Sequence, residues 1–129
     1  MPERRLYDTR FFVEYFYSED KELLRKLKEE LRLVKERLVS SLTVHEMHRI
    51  NWLREGKDVA ALRSNTIHGD FKIIEVDFDI AVKSAELRTR HQIPMADSVI
   101  AATAQIHECV LFSDDTHFKQ IQNLKTKWC

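Results

Sequence analysis

The stretch that decides the fold is His91-Gln-Ile-Pro-Met-Ala-Asp97-Ser-Val-Ile-Ala-Ala-Thr-Ala-Gln-Ile-His107. Pro94 has the fixed φ angle of a first helical turn and lacks only an N–H group that would have no partner there. Because nearly every residue from Met95 to Ile106 is small or apolar on all sides, the sequence predicts a helix that is buried on most of its faces. One carboxylate, Asp97, lies in the first turn of this helix.

A buried carboxylate such as Asp97 is costly unless it is ion-paired, hydrogen-bonded or bound to a metal. Its simplest role is electrostatic, since a negative charge in a first turn interacts favourably with the helix macrodipole. The rest of the chain decides between this structural role and a functional one.

The composition is that of one globular domain over residues 1–129, with 43% hydrophobic and 33% charged residues. Twenty-one basic residues balance twenty-one acidic ones, so any contact with nucleic acid must use a local patch rather than bulk charge. No apolar run has the length of a membrane span, and Met1-Pro-Glu-Arg-Arg5 begins no apolar leader. We therefore expect a cytoplasmic protein with no membrane partner. The two cysteines predict neither a disulfide framework nor a metal site.

Strand and helix patterns alternate along the chain. Strands are predicted at residues 5–8, 38–42, 71–76, 110–113 and 124–128. Helices are predicted at residues 11–17, 20–31, 44–55, 58–65, 78–89 and 95–106. This alternation predicts an α/β fold in which a parallel sheet is covered by helices on both faces. In such folds ligands bind beyond the carboxyl ends of the strands, where the strand order reverses.

Four carboxylates are predicted to meet at that edge of the sheet. Asp8 and Asp115 end two predicted strands, whereas Glu46 and Asp97 lie in the first turns of helices that leave or return to the same edge. Four carboxylates at close range repel one another and need a counter-charge. A divalent cation such as Mg²⁺ or Mn²⁺, which prefers oxygen ligands, would supply it.

Each carboxylate also has a purely structural interpretation. Asp8 is placed to cap a turn or helix, and Glu46 is spaced to complete a capping box with Thr43. Helix capping is also the simplest role for the other acids near predicted helix starts, which are Asp77, Asp79, Asp114 and Asp115. These single roles do not explain why four acids share one predicted edge.

The order of these motifs resembles the PIN domain family, and within it the small prokaryotic VapC-type toxin ribonucleases. The matching segments are Leu6-Tyr-Asp8-Thr9, Ser40-Ser-Leu-Thr-Val-His-Glu46, Ile93-Pro-Met-Ala-Asp97-Ser-Val-Ile-Ala-Ala-Thr-Ala104 and Leu111-Phe-Ser113-Asp-Asp115-Thr-His-Phe118. The resemblance covers essentially the whole chain, and the motif around Asp97 is its most specific part. It implies a PIN-like three-layer sandwich with a central, mostly parallel sheet of about five strands.

The resemblance also implies a metal-dependent endoribonuclease, the toxin of a toxin–antitoxin pair, whose partners are RNA, a cognate antitoxin and a second copy in a homodimer. The implied catalytic acids, which would bind Mg²⁺ or Mn²⁺, are Asp8, Glu46, Asp97 and Asp115. The polar residues expected to support them are Thr9, Ser113 and Asp114. Candidates for binding RNA phosphates at the predicted rim, each also interpretable as an ordinary solvated residue, are Arg10, Arg49, Arg90 and Lys119.

The helix after Asp8 carries more aromatic side chains than one helix face can bury, namely Phe11, Phe12, Tyr15, Phe16 and Tyr17. Phe12 is predicted to lie in the core. The remaining rings are predicted to form an apolar groove beside the acidic cleft. Such a groove suits an amphipathic antitoxin helix that carries an arginine towards the carboxylates.

Other chemistries are less well supported by the sequence. His45 and His48 suggest zinc, but the metalloprotease motif places its histidines four residues apart and these are three apart. An aspartyl-phosphate receiver is disfavoured because no second aspartate follows two residues after Asp8. Two alternatives remain, an RNA-processing nuclease of the same fold without an antitoxin and a PIN-like scaffold whose site is unused.

Overall fold

The computed structural model describes residues 3–129 and shows a five-stranded parallel sheet between two helical layers, which confirms the predicted fold. Met1 and Pro2, which begin the stretch predicted to lack a leader, lie outside the described residues. The strands are β1 (Arg4–Tyr7), β2 (Glu36–Ser40), β3 (Lys72–Ile74), β4 (Val110–Phe112) and β5 (Thr126–Lys127). The helices are α1 (Thr9–Tyr17), α2 (Lys21–Leu33), α3 (Ser41–Glu55), α4 (Lys57–Asp70), α5 (Phe78–His91) and α6 (Met95–Ile106), with a short 3₁₀ helix, η1 (Thr116–Gln120).

The strand order is β3-β2-β1-β4-β5, and every neighbouring pair is parallel. The chain moves outward from β1 through β2 to β3, and it returns to the other side of β1 for β4 and β5. The order therefore reverses between β1 and β4, which is where ligand sites of open parallel sheets lie. Asp8 directly follows β1 at this point, and Asp115 follows β4.

Alternating side chains of the central strands form two cores, because successive residues of a strand face opposite sides of the sheet. The residues that pack against α5 and α6 are Leu6, Leu38 and Leu111. The residues that pack against α1 to α4 are Tyr7, Val39 and Phe112. All six are fully buried, and burying a side chain of this size contributes about 1.5–3 kcal/mol. The carboxyl edge of the sheet is thus held by packing on both faces.

β1 is also fixed to α2 by a buried ion pair. Arg5 is only 3% exposed and pairs with Glu30 on α2 and, at 2.6 Å, with Glu3. The hydroxyl of Tyr7 donates a hydrogen bond to Glu30 Oε2 over 3.0 Å. Such additional bonds are what a buried ion pair needs to offset its desolvation. The strand that leads into Asp8 is therefore tied to the helical layer as well as to its neighbouring strands.

α6 begins and ends where the sequence predicts, and Ser98–Ala104 are all buried. The hydroxyls of Ser98 and Thr103 donate to the carbonyl oxygens of Met95 (2.6 Å) and Val99 (2.7 Å), which allows these polar side chains to be buried. Across residues 3–129, no helix has both the length and the apolar character that crossing a membrane requires.

α3 begins earlier than predicted. The preceding strand ends at Ser40, whose hydroxyl accepts a hydrogen bond from the Leu42 N–H over 3.1 Å and caps the helix that starts at Ser41. Thr43 is therefore inside the helix and fully buried. The capping box considered for Thr43 and Glu46 does not form, and Glu46 lies in the second turn rather than the first.

The prediction that Phe11 lines an exposed apolar groove on α1 is wrong. Phe11 and Phe12 are 0% and 1% exposed, so both belong to the core. The ring of Phe11 lies 4.6 Å from that of Tyr7 and 5.8 Å from that of Phe112, measured between centroids. Because α2, α3 and the sheet all pack against α1, this helix buries two neighbouring faces rather than one. The other three rings, which are half-buried against the same cluster, belong to Tyr15, Phe16 and Tyr17.

Candidate metal centre

The four acids predicted from the sequence line one cleft of about 90 Å³ at the carboxyl edge of the sheet. They come from four different places in the fold, namely the ends of β1 and β4, the second turn of α3 and the first turn of α6. These acids are Asp8, Glu46, Asp97 and Asp115. The apolar part of the lining consists of Ala96, Ile100 and Phe118.

Asp8 is the most buried of the four acids, at 5% exposed. Its Oδ1 accepts a hydrogen bond from the Phe11 N–H over 3.1 Å, so it caps α1 as the structural interpretation proposed. Burial raises the pKa of Asp8 to about 6, while the Ser113 hydroxyl and the Phe11 N–H act in the opposite direction. A carboxylate whose ionised form is disfavoured in this way would be stabilised by a bound cation.

Glu46 is held in the cleft by Thr9, the first residue of α1. The Thr9 hydroxyl donates a hydrogen bond to Glu46 Oε1 over 2.6 Å, and the hydroxyl of Thr43 lies 3.5 Å from that of Thr9. Thr9, which the family resemblance assigned as a supporting polar residue, therefore contacts the acid Glu46 directly.

Asp97 and Asp115 are joined by a histidine to which the sequence assigned no role. His117 Nδ1 lies 2.8 Å from Asp97 Oδ2 and 3.0 Å from Asp115 Oδ1. Burial and the charge of Asp115 raise the pKa of Asp97, whereas His117 acts in the opposite direction. The sequence did contain one signal for this role of His117, which is its position two residues after Asp115. In a turn capped by an aspartate, the residue two positions later can face back towards the carboxylate. Asp115 does cap η1, accepting the His117 N–H over 2.9 Å.

Asp114 is engaged by Arg10 rather than by the cleft. The guanidinium of Arg10 forms a two-pronged ion pair with the Asp114 carboxylate, one arm of which is Nη2 to Oδ2 at 3.1 Å. This pairing lowers the pKa of Asp114. Ser113, which is buried, accepts a hydrogen bond from the Asp115 N–H over 3.0 Å and so stabilises the turn that carries that acid.

The basic candidates for substrate contact are dispersed. Of the four described residues proposed for this role, Arg10 alone lines the cleft. Arg49 lines a separate groove on α3, Arg90 is exposed in the last turn of α5, and Lys119 is exposed on η1.

The donor set fits a hard divalent cation. The cleft presents four carboxylates, which are the ligands that Mg²⁺ and Mn²⁺ prefer. Arg10, the arginine that lines the cleft, is already paired with Asp114. Within residues 3–129, the side chains with ligand atoms within 4.8 Å of one another are Asp97, Asp115 and His117. Asp8 and Glu46 line the same cleft but lie outside this group, as do His45 and His48.

A second concavity, which the sequence did not indicate, is an open apolar groove of about 610 Å³ along α3 and α4. Trp52 and Leu53 lie in it with 48% and 68% of their surface exposed. Its lining consists of Ser41, Val44, His45, His48, Arg49, Trp52, Leu53 and Ser64. Since α3 also carries Glu46, the groove and the acidic cleft share one helix.

The fold is similar to that of chains in solved structures of a toxin and of toxin–antitoxin complexes. A toxin–antitoxin complex from Klebsiella pneumoniae matches with a TM-score of 0.75 and 24% identity over 93% of this chain and 94% of that one. VapBC2 from Rickettsia felis, bound to a DNA fragment from their promoter, matches with a TM-score of 0.80 and 18% identity over 97% of this chain and 98% of that one. VapC20 from Mycobacterium tuberculosis, a sarcin-ricin loop cleaving toxin, matches with a TM-score of 0.75 and 17% identity over 89% of this chain and 92% of that one. At these identities the likeness shows the fold alone.

A comparison with curated protein sequences gives no match. The sequence model of the PIN domain, in contrast, matches residues 5–124. The matched region runs from β1 through η1 and includes all four acids that line the cleft. The chain therefore belongs to the PIN domain family.

Proposed function

We propose that this PIN domain is a divalent-metal-dependent endoribonuclease and the toxin of a VapBC-type pair. The observation that carries the proposal is the meeting of four acids, from four separate elements, around one small cleft. PIN domains are in general nucleases, and similar folds occur in the VapC and VapBC structures described above.

Asp8, Glu46, Asp97 and Asp115 would hold Mg²⁺ or Mn²⁺. A bound ion of this kind lowers the pKa of a water molecule and stabilises negative charge at the scissile phosphate and leaving oxygen. The protein's own contribution is to fix the ligands. The hydrogen bond from Thr9 restricts Glu46 to one orientation, and the cap that Asp8 makes on α1 restricts that carboxylate in turn.

Arg10 is placed to contact the substrate. Arg10 lines the cleft and its side chain is 54% exposed. Its guanidinium could therefore bind a substrate phosphate in addition to its present partner, Asp114. The apolar part of the lining, formed by Ala96, Ile100 and Phe118, would limit the access of bulk water. Arg49, Arg90 and Lys119 are proposed only as more distant contacts to the RNA backbone.

Metal-assisted hydrolysis has no need of a 2′-hydroxyl, so RNA is proposed from the resemblance to VapC toxins. The direct test is to remove metal from the purified chain and incubate it with end-labelled RNA and DNA of one sequence. We expect RNA to be cleaved in Mg²⁺ or Mn²⁺ and to stay intact in EDTA. Cleavage that is equally fast in EDTA, or no cleavage with either ion, would contradict the proposal.

The proposed antitoxin contact is the groove along α3 and α4. Its apolar lining and the half-exposed Trp52 suit the apolar face of an amphipathic segment. A segment in this groove would pass close to Glu46 on the same helix, where an arginine could pair with the acids of the cleft. The homodimer stays a prediction from the resemblance, and light scattering of the purified chain would test it.

The two rival functions make different predictions. An RNA-processing nuclease would keep the metal-dependent cleavage but would have no small antitoxin gene beside its own. A scaffold with an unused site would bind RNA or protein without cleaving it. The presence of all four acids in one cleft favours an active site over an unused one.

A further inference from the structure

We infer that His117 is a ligand of the metal ion, so that the site combines carboxylate oxygens with one imidazole nitrogen. The inference rests on the proposed metal-dependent function, and it adds a residue that lies outside the four acids. It makes this centre different in ligand chemistry from one built of oxygen alone.

The distances around His117 are those of ligands that share one ion. Nδ1 is 2.8 Å from Asp97 Oδ2 and 3.0 Å from Asp115 Oδ1, and one donor atom of each residue lies within 4.8 Å of the others. In octahedral coordination with metal–ligand distances of about 2.1 Å, adjacent ligand atoms are about 3 Å apart and opposite ones about 4.2 Å apart. The two distances to Nδ1 match those of adjacent ligands, and the two carboxylate oxygens lie within 4.8 Å of each other, so the three donor atoms are close enough to converge on a single ion.

The backbone holds the imidazole in this place. Asp115 accepts the His117 N–H over 2.9 Å, and the Ser113 hydroxyl accepts the Asp115 N–H over 3.0 Å. These two bonds fix the turn after β4 and bring the histidine back over its own capping aspartate. Asp97 reaches the same nitrogen from α6, a different element, so the contact does not follow from local geometry alone.

Coordination requires the neutral imidazole with its proton on Nε2, which presents a lone pair at Nδ1. Without metal, Nδ1 lies at hydrogen-bonding distance from two carboxylate oxygens, so an ion would take the place of a proton there. The His117 side chain is 50% exposed, so an ion from solvent can reach it, whereas Asp97 and Asp115 are 19% and 21% exposed. An accessible nitrogen between two more buried oxygens is a suitable entry point for a cation.

A nitrogen ligand changes the preference among divalent ions. Mg²⁺ strongly prefers oxygen and usually keeps several water ligands. Mn²⁺ binds imidazole more readily, and Co²⁺ more readily still. We therefore expect the protein to bind Mn²⁺ and Co²⁺ more tightly than Mg²⁺, and His117 to account for much of the difference.

A different role for His117 predicts the opposite effect of its removal. If Nδ1 only donates a hydrogen bond to the two acids when no metal is present, an incoming ion has to displace it. Removing the side chain would then strengthen metal binding. The direction of the change in metal affinity therefore separates a ligand from a competitor.

The experiment compares wild type, His117→Ala and His68→Ala, in which the control replaces an exposed histidine on α4. Titration of each metal-free protein with Mn²⁺ and Mg²⁺ gives the dissociation constants, and pulsed electron paramagnetic resonance of bound Mn²⁺ reports coordinated nitrogen. We expect His117→Ala to weaken Mn²⁺ binding at least about tenfold, to weaken Mg²⁺ binding less, and to abolish the nitrogen coupling. His68→Ala should behave as wild type, and thermal melts should show that both variants are folded.

Failure of this inference and failure of the proposed function give different results. Equal or tighter Mn²⁺ binding by His117→Ala, or a wild-type spectrum without nitrogen coupling, would overturn the role of His117 and leave the carboxylate site intact. If Asp97→Asn binds Mn²⁺ as tightly as wild type, or if wild type binds none, the metal site itself is wrong and the inference falls with it.

Discussion

The hydroxyl of Thr9 donates a hydrogen bond to Glu46 Oε1 over 2.6 Å, joining the first turn of α1 to the second turn of α3. The two residues are far apart in the sequence, and each follows one of two adjacent parallel strands. Thr9 begins the helix capped by Asp8, and Glu46 lies in the helix capped by Ser40. The bond therefore couples one acid of the cleft to the helix start that positions another.

Thr9→Val removes this bond while keeping the side-chain shape. We expect metal affinity and cleavage rate to fall about tenfold or more, because loss of a partner that orients a ligand typically has this effect. The free energy of unfolding should change by only about 1 kcal/mol. Thr66→Val is the matched control, since Thr66 donates only to a backbone carbonyl on α4. Wild-type metal affinity in Thr9→Val would show that Glu46 needs no such support.

The raised pKa of Asp8 predicts how stability depends on pH in the absence of metal. Between the usual value of 3.8 and the value of about 6 in the fold, the folded chain binds a proton that the unfolded chain releases. The free energy of unfolding should therefore fall as pH rises through this interval, by up to about 3 kcal/mol, and the loss should be complete above it.

Asp8→Asn keeps the cap on α1 but cannot ionise. We expect the variant to be more stable than wild type at neutral pH in EDTA and to lack this decline. Urea denaturation at several pH values gives the difference between the two proteins, in which the contributions of other groups cancel. Parallel pH profiles for the two proteins would count against a buried, destabilising charge at Asp8.

Metal should stabilise the fold. An ion that binds only the folded chain raises its stability by about 2.7 kcal/mol at a concentration one hundred times its dissociation constant. The variant in which all four acids become amides should be more stable than wild type in EDTA and indifferent to metal, because it lacks their mutual repulsion. Thermal melts in EDTA, Mg²⁺ and Mn²⁺ provide the measurement. Identical wild-type melts in all three would argue against the site.

The groove along α3 and α4 is predicted to bind the antitoxin. Replacing Trp52 and Leu53 together by glutamate should weaken antitoxin binding at least about a hundredfold, because exposed apolar anchors commonly dominate such contacts. Leu33→Glu is the control, since Leu33 is as exposed as Leu53, at 66% against 68%, but lies on α2. Calorimetric titration with the antitoxin measures the effect. If the double variant binds like wild type, the antitoxin contacts another surface.

A substitution on the α1 surface that the sequence predicted for the antitoxin should affect stability rather than binding. Phe11 is fully buried against Tyr7 and Phe112. Phe11→Glu should therefore unfold the chain by placing a charge in the core, rather than weaken binding selectively. A far-ultraviolet circular dichroism melt distinguishes the two. A folded Phe11→Glu protein with impaired antitoxin binding would restore the original groove.

Local patterns predicted the parts of the fold that depend on local chemistry. The bounds of α6 follow from Pro94 and the run of small residues, and Asp77 caps α5 as its position indicated, accepting the Ile80 N–H over 2.9 Å. The meeting of the four acids followed from the rule that parallel strands end at one edge. These expectations required only periodicity, capping chemistry and the direction of the strands.

The features that the sequence missed depend on tertiary contacts. Phe11 is buried because three neighbours cover α1, which its own nine residues do not reveal. Serine and threonine both suit a helix cap, so the sequence alone did not distinguish Ser40 from Thr43. In the structure β2 pairs with β3 as far as Ser40, and the helix that Ser40 caps begins at the next residue. The position of His117 depends on its contact with Asp97. Asp97 lies on α6, which precedes β4 and the turn that carries His117, so the contact joins two separate elements.

The central claim is that these acids form a metal-dependent nuclease centre, and Asp97→Asn tests it most directly. The variant keeps the size of the side chain and the start of α6, whereas Asp20→Asn, at the cap of α2, controls for loss of a charge at a helix start. The measurement is the single-turnover rate of RNA cleavage in Mn²⁺ for wild type and both variants, with folding checked by thermal melts. We predict that Asp97→Asn loses at least about two orders of magnitude in rate, because metal coordination supplies several kcal/mol of transition-state stabilisation, and that Asp20→Asn keeps the wild-type rate. A folded Asp97→Asn protein that cleaves RNA as fast as wild type would contradict the account.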